Sequence, residues 1–145
     1  MKILFMNGPN LNMLGIREKQ IYGTLDLETI NGMLLKECEK NGVEAEFYQS
    51  NIEGELVDKI HSTYGKDYDG IVFNPGAYSH YSLALSDAIK CVEIPVVEVH
   101  MSNVFAREDS RHQMVTAKNS LGVISGFGEG SYLLGLYALI KKQEK

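Results

Sequence analysis

The chain has 145 residues, the size of one domain, and its 44% hydrophobic and 23% charged content is the balance of a soluble globular protein. Fourteen Lys+Arg against nineteen Asp+Glu leave a net charge of -5 and argue against a nucleic-acid binder, although a local cluster of cations could still serve an anionic small molecule. No apolar run nears the roughly 20 residues of a membrane span.

The opening stretch, MKILFMN, has no small-residue cleavage pattern behind it and reads as a strand rather than a signal peptide. Cys38 and Cys91 form no CxxC pair, and the expectation is two reduced, buried, inert thiols in a cytoplasmic protein.

In chain order, residues 2–6 (KILFM) read as a buried strand, followed by a long Gly- and Asn-rich loop over 7–23. Thr24 is the expected cap of a helix with Asp26 and Glu28 in its first turn, an apolar face of Ile30, Met33, Leu34 and Cys38, and Gly42 at its end. Val43, Ala45 and Phe47 alternate with Glu44, Glu46 and Tyr48, the pattern of a half-exposed edge strand. Leu56, Val57, Ile60 and Tyr64 mark a second helix, and residues 70–73 (GIVF) a short buried strand. Ser82 opens a third helix carrying Leu83, Leu85, Ala88 and Ile89. Residues 94–99 (IPVVEV) form a fourth strand, 101–121 a second long loop or broken helix, 122–125 (GVIS) a fifth strand, and 132–142 the last helix. The lysine-rich tail at 141–145 reads as a frayed helix end.

This alternation predicts a single α/β domain over 1–145, a flavodoxin-like doubly wound five-stranded parallel sheet of order 2-1-3-4-5 with helices on both faces. Ligands of such sheets bind outside the carboxyl ends of the strands, at the switch point between strands 1 and 3. That rule directs attention to the loops at 7–23, 74–82 and 100–121.

All three arginines, Arg17, Arg107 and Arg111, fall in the first and last of these loops, while the eleven lysines lie mostly elsewhere. A guanidinium is a rigid fork of donors suited to carboxylate or phosphate, so the partition points to an anionic ligand, with structural ion pairing as the plainer reading. Loop 7–23 is too long for a strand-to-helix turn; Gly15 and Gly23 flank Arg17 and Tyr22, as a lid with permissive ends would. It is otherwise a floppy surface loop, a reading that leaves Asn7, Asn10 and Asn12 unexplained. No Walker A loop or GxGxxG is present, and Gly126, Gly128 and Gly130 serve as a weak phosphate cradle or as the approach to a helix.

Glu98 and His100, two apart on a strand, share a face at its carboxyl end. A carboxylate orients an imidazole and favours its protonated form, so the two read as a general-acid pair or as a structural ion pair. His80 and His112 are too dispersed to suggest zinc. Asn74 and His80 read either as hydroxyl-binding groups or as turn and capping residues, and Asp87 as an ordinary surface acid.

Three long stretches, NGPNLNMLGIREKQIYG, NPGAYSHYSLALSDAI and IPVVEVHMSNVFARED with Arg111-His112 behind it, resemble the type II 3-dehydroquinate dehydratases essentially end to end. The resemblance implies reversible dehydration of 3-dehydroquinate to 3-dehydroshikimate in the shikimate pathway of aromatic amino acid biosynthesis, no cofactor or metal, and a homododecamer built as a tetramer of trimers. It casts Tyr22 as a tyrosinate base, Arg17 as support for that anion, and Asn10 as holder of a water against the enolate oxygen. His100, oriented by Glu98, is cast as the acid. Asn74, His80 and Arg111 would bind substrate hydroxyls, and Met101 and Ser102 would cradle the carboxylate. Asp87 would reach the site of a neighbouring subunit.

Lys19 stands where the family usually has proline, Tyr81 where it has a small hydroxyl residue, Ser110 where it has an aromatic, and Gln113-Met114 for a common His-Ser pair. These departures touch lid rigidity and the packing behind Arg111. The chemistry explains the roles: a free tyrosine has a pKa of about 10, and moving it toward 7 takes roughly 4 kcal/mol, which nearby guanidinium charge in a closed site can supply. A flavodoxin-like binding module for small anions, and a phosphoryl-transfer or hydrolytic enzyme on the same fold, are the competing readings.

Overall fold

The computed structural model describes residues 1–144. Its elements are β1 (Lys2–Asn7), α1 (Lys19–Tyr22), α2 (Leu27–Lys40), β2 (Glu44–Gln49), α3 (Glu53–His61), β3 (Gly70–Asn74), α4 (Leu83–Cys91), β4 (Val96–His100), β5 (Gly122–Ser125) and α5 (Gly130–Gln143). The strands form one parallel sheet in the order β2-β1-β3-β4-β5, as the alternation predicts.

Side-chain alternation along the inner strands divides the core in two. Ile3, Phe5, Val72, Val97 and Val99 face α2 and α5, where they meet Ile30, Leu34, Cys38, Tyr132, Leu136 and Leu139. Leu4, Met6, Ile71, Phe73 and Val96 face α3 and α4, against Leu56, Ile60, Leu85, Ala88 and Ile89. The central strands β1 and β3 are covered on both faces, which is why their sequence is a continuous apolar run.

The alternation also fixes the orientation of the polar pair. Since Val97 and Val99 face α5, Glu98 and His100 face the α3–α4 side, with Val96. Polar residues end all five strands: Asn7 of β1 pairs in register with Gln49 of β2 and Asn74 of β3, and His100 ends β4 opposite Ser125 of β5.

Several local expectations are corrected. The cap of α2 is Asp26, whose side chain accepts from the Thr29 amide at 2.7 Å; Thr24 lies upstream of it. An aspartate three residues before an acceptor-seeking amide stabilises both the free N–H and the positive end of the helix dipole. Gly42 does end α2, with a φ of 66°. Met33 and Leu83 lie off the buried faces of their helices, and Tyr64 lies beyond α3 in solvent. Ser82 caps α4 as expected, accepting from the Leu85 amide at 3.0 Å.

Loop 7–23 carries a 3-10 turn, Leu11–Met13, besides α1. Loop 101–121 is three short 3-10 turns, Val104–Ala106, Asp109–Arg111 and Ala117–Asn119, rather than a broken helix. Cys38 is buried, and burial pushes its thiol up to about 11, but Cys91 is exposed, against expectation. The end of α5 runs to Gln143, and Lys145 lies outside the described residues. Among the described residues no helix is long and apolar enough to cross a membrane.

Candidate active site

At the carboxyl ends of β1, β3 and β4 the loops enclose a cavity of about 250 Å³. Asn10, Arg17, Tyr22, Asn74, His80, His100, Met101, Ser102 and Arg111 all line it. Glu98 stands behind His100, fully buried, and Asp87 is exposed on α4, outside the cavity of its own chain.

The first wall is the lid. A close approach at the switch point sets its origin: the Gly8 amide donates to the Asn74 carbonyl at 2.8 Å, and a Cβ on Gly8 would lie 2.4 Å from the Pro75 carbonyl oxygen. Only glycine fits where the loops after β1 and β3 touch. Asn10 follows in the left-handed region with a φ of 67°, its amide donating to the Asn51 Oδ1 at 2.9 Å. Asparagine tolerates this conformation better than most residues.

Farther along, Tyr22 sits half-buried between two guanidinium groups. Arg17 lies over its ring with 4.5 Å from Cζ to the centroid, and Arg107 Nη1 donates to the phenolic oxygen at 2.7 Å. Sequence reasoning gave Arg107 no individual role. The signal that could have found it was the confinement of all three arginines to two loops. Arg107 is held in turn by its carbonyl, which accepts from His112 Nε2 at 3.0 Å. Arg17 pairs with Glu18 at 3.0 Å, and Arg111 with Glu108 at 2.6 Å.

The second wall is the end of β4. His100 Nε2 donates to Glu98 Oε1 at 2.7 Å, which assigns that hydrogen to Nε2 and leaves Nδ1 for the cavity. The His80 ring lies nearly parallel to that of His100, with 6.2 Å between centroids. His80 Nδ1 donates to the Gln113 carbonyl at 2.8 Å, so its Nε2 is an acceptor when the ring is neutral. Burial pushes the His80 imidazole below its ordinary value, outweighing the raising effect of that hydrogen bond, and favours the neutral ring.

Asn74 is fixed from both ends of its amide. Its Oδ1 accepts from the Gly76 amide at 3.1 Å, and its Nδ2 donates to the Tyr132 hydroxyl at 2.8 Å. That hydroxyl donates in turn to Asn7 Oδ1 at 2.6 Å. Burial holds the Tyr132 phenol well above its ordinary value, so it stays neutral and serves as a hydrogen-bonding post.

A phenol between guanidinium groups faces an imidazole backed by a carboxylate, in a polar cavity with amide groups on its rim. That arrangement can take a proton at one side of a small anionic ligand and give one at the other. Fold and site therefore define a flavodoxin-like α/β protein equipped for acid–base chemistry at the strand ends.

The chain belongs to the class II dehydroquinase family, whose model matches residues 1–140. It is 55% identical over 141 residues to the 3-dehydroquinate dehydratase of Clostridium perfringens strain SM101, covering 97% of each chain. It is 57% identical over 140 residues to that of Carboxydothermus hydrogenoformans, covering 97% of this chain and 90% of the relative. The crystal structure of type II dehydroquinase from Butyrivibrio crossotus superposes with a TM-score of 0.95 at 49% identity, covering 97% of both chains.

Proposed function

We propose that this chain is a type II 3-dehydroquinate dehydratase, converting 3-dehydroquinate reversibly to 3-dehydroshikimate without a cofactor. The observation that carries this reading is the Tyr22 hydroxyl at 2.7 Å from Arg107, with Arg17 over its ring, facing across one cavity the His100–Glu98 pair. As phenolate, Tyr22 takes the proton next to the ketone, and the electron pair becomes an enolate. Arg17 and Arg107 stabilise the phenolate that starts the step and the charge that develops during it. Asn10 holds a water against the enolate oxygen, where charge exists only after proton removal, so the contact favours the transition state over bound substrate. The C–O bond then breaks as the imidazolium of His100 protonates the departing hydroxyl, and water leaves. The phenol and the neutral imidazole that remain exchange a proton through solvent to reset the site.

In this reading Asn74, Arg111 and neutral His80 bind substrate hydroxyls, with His80 Nε2 as acceptor. Met101 and Ser102 cradle the substrate carboxylate, and Asp87 serves the site of a neighbouring subunit in a homododecamer, a tetramer of trimers. The free thiols support a cytoplasmic setting, and the place of the reaction is the shikimate pathway of aromatic amino acid biosynthesis.

The test is direct. Purified protein mixed with 3-dehydroquinate and no metal is expected to generate the absorbance of a conjugated enone. Tyr22→Phe is expected to keep substrate binding and lose roughly 10²- to 10⁴-fold in kcat, the usual worth of a positioned general base. Near-normal turnover by that variant would remove Tyr22 as the base. A covalent adduct trapped by borohydride would replace the mechanism with a lysine Schiff base.

A further inference from the structure

Glu98 is fully buried, and both of its carboxylate oxygens have donors. Ser79 Oγ donates to Oε1 at 2.6 Å, on the same oxygen that takes His100 Nε2 at 2.7 Å. Thr116 Oγ1 donates to Oε2 at 2.6 Å. Ser79 and Thr116 are themselves fully buried, and each lies in a loop at the carboxyl end of the sheet. The two loops are tied together where the hydroxyls converge: the Val115 amide donates to the Ser79 carbonyl at 2.7 Å, and Ser86 Oγ to the Val115 carbonyl at 2.9 Å.

We propose that Ser79 and Thr116 are positioning residues for the acid: their hydroxyls hold the Glu98 carboxylate as the anion that keeps the His100 imidazole oriented and protonated for donation to the leaving hydroxyl. The proposal rests on His100 being the acid of the reaction described above. A carboxylate buried away from solvent stays ionised only if donors replace its hydration. His100 alone supplies one. The hydroxyls supply two more, and Thr116 is the donor recorded on Oε2. Without it the proton of the coupled pair moves from imidazole to carboxylate, and a neutral imidazole is a far weaker acid. The other charged or titratable groups facing the pair are the His80 ring at 6.2 Å from His100 and, around the same cavity, Tyr22, Arg17, Glu18, Arg107 and Arg111. None of them donates a hydrogen bond to Glu98, so none replaces a lost hydroxyl.

Thr116→Val preserves shape and removes the donor; Thr116→Ser preserves the donor; Ser79→Ala removes the other hydroxyl and serves if the valine variant fails to fold. Because the proton moves within the pair, the number of protons bound does not change, and the acid-side limb of the kcat profile, set by Tyr22, is expected to stay where it is in Thr116→Val and Ser79→Ala. At neutral pH kcat should fall about ten- to a hundredfold, part of what a general acid contributes, with KM little changed. Exchange of the substrate's α-hydrogen with deuterated solvent should continue, because it needs Tyr22 and not His100. Thr116→Ser should restore kcat. If folded Thr116→Val and Ser79→Ala keep the wild-type rate while His100→Asn is slow, the hydroxyls are structural and the proposal is overturned. If His100→Asn itself turns over normally, the acid assignment beneath it fails instead.

Discussion

His80 stands on one hydrogen bond and one desolvation. Nδ1 gives its hydrogen to the Gln113 carbonyl, and burial, the larger influence, pushes the ring below the ordinary value of 6.5. The unfolded chain therefore takes up this proton first. Above about pH 6.5 the group is neutral in both states and has no effect on stability. As pH falls through that value toward the folded one, stability is lost. The melting temperature of His80→Asn is thus expected to fall less steeply between pH 7 and 5 than that of the parent, since all other titrating groups are shared. Parallel melting curves would show that His80 is charged without penalty. At this scale the legibility of the site depended on sequence distance. Glu98 and His100 could be placed together because a strand puts residues two apart on one face. The contact of Arg107 with Tyr22 spans 85 positions and joins two loops with no periodicity. Spacing carries no information about such a pair, and only the uneven distribution of arginines hinted at it.

Elements bring the residues together by their ends and their close approaches. β1 and β3 run in register to Asn7 and Asn74, and the chain leaves them as two loops that touch at Gly8. A methyl on Gly8 would meet Pro75 backbone rather than a flexible side chain, so the loops must separate. Gly8→Ala is expected to cost about 1–3 kcal/mol in denaturant unfolding, in the range of an overpacked core, and to lower kcat by moving Asn10 away from Asn74 and His80. Wild-type values of both would mean that the switch point is softer than its geometry. The glycines at 126 and 128 answer a different need. Their amides donate to the carbonyls of His100 and Met101 at 3.2 and 2.9 Å, so the segment pins the end of β4 and leads into α5. Of its two sequence readings the helix approach holds, because those two donors already have backbone acceptors. Strand order was legible because buried strands, amphipathic helices and glycine stops are local patterns. The short turns in the two long loops were not, because 3-10 turns of three residues have too few positions to show a period.

At the scale of the whole molecule, one surface has more apolar area than a solitary chain of this charge needs. Val123, Phe127, Leu134 and Tyr137 are exposed together along β5 and α5, beside the open edge of the sheet. An exposed apolar face on an edge strand is the kind of surface that assembly covers. Asp87 is exposed on α4 and does not line the cavity of its own chain, so the part proposed for it in turnover is one played across an interface. Together with the homododecamer proposed above, the two facts lead to one expectation. Sedimentation should show a dodecamer, and Asp87→Ala should lower kcat while leaving the sedimentation coefficient unchanged. Mixing decides whether the effect crosses subunits. A subunit with Tyr22→Phe has no base but keeps its Asp87; a subunit with Asp87→Ala keeps its base. When the two are dissociated and reassembled together, sites built from Tyr22 of one chain and Asp87 of its neighbour form in a statistical fraction, and activity should rise above the sum of the separate variants. Because the two defects lie on different chains, no refolding within either subunit can produce that gain. Its absence, with assembly intact, would confine Asp87 to the surface of its own chain.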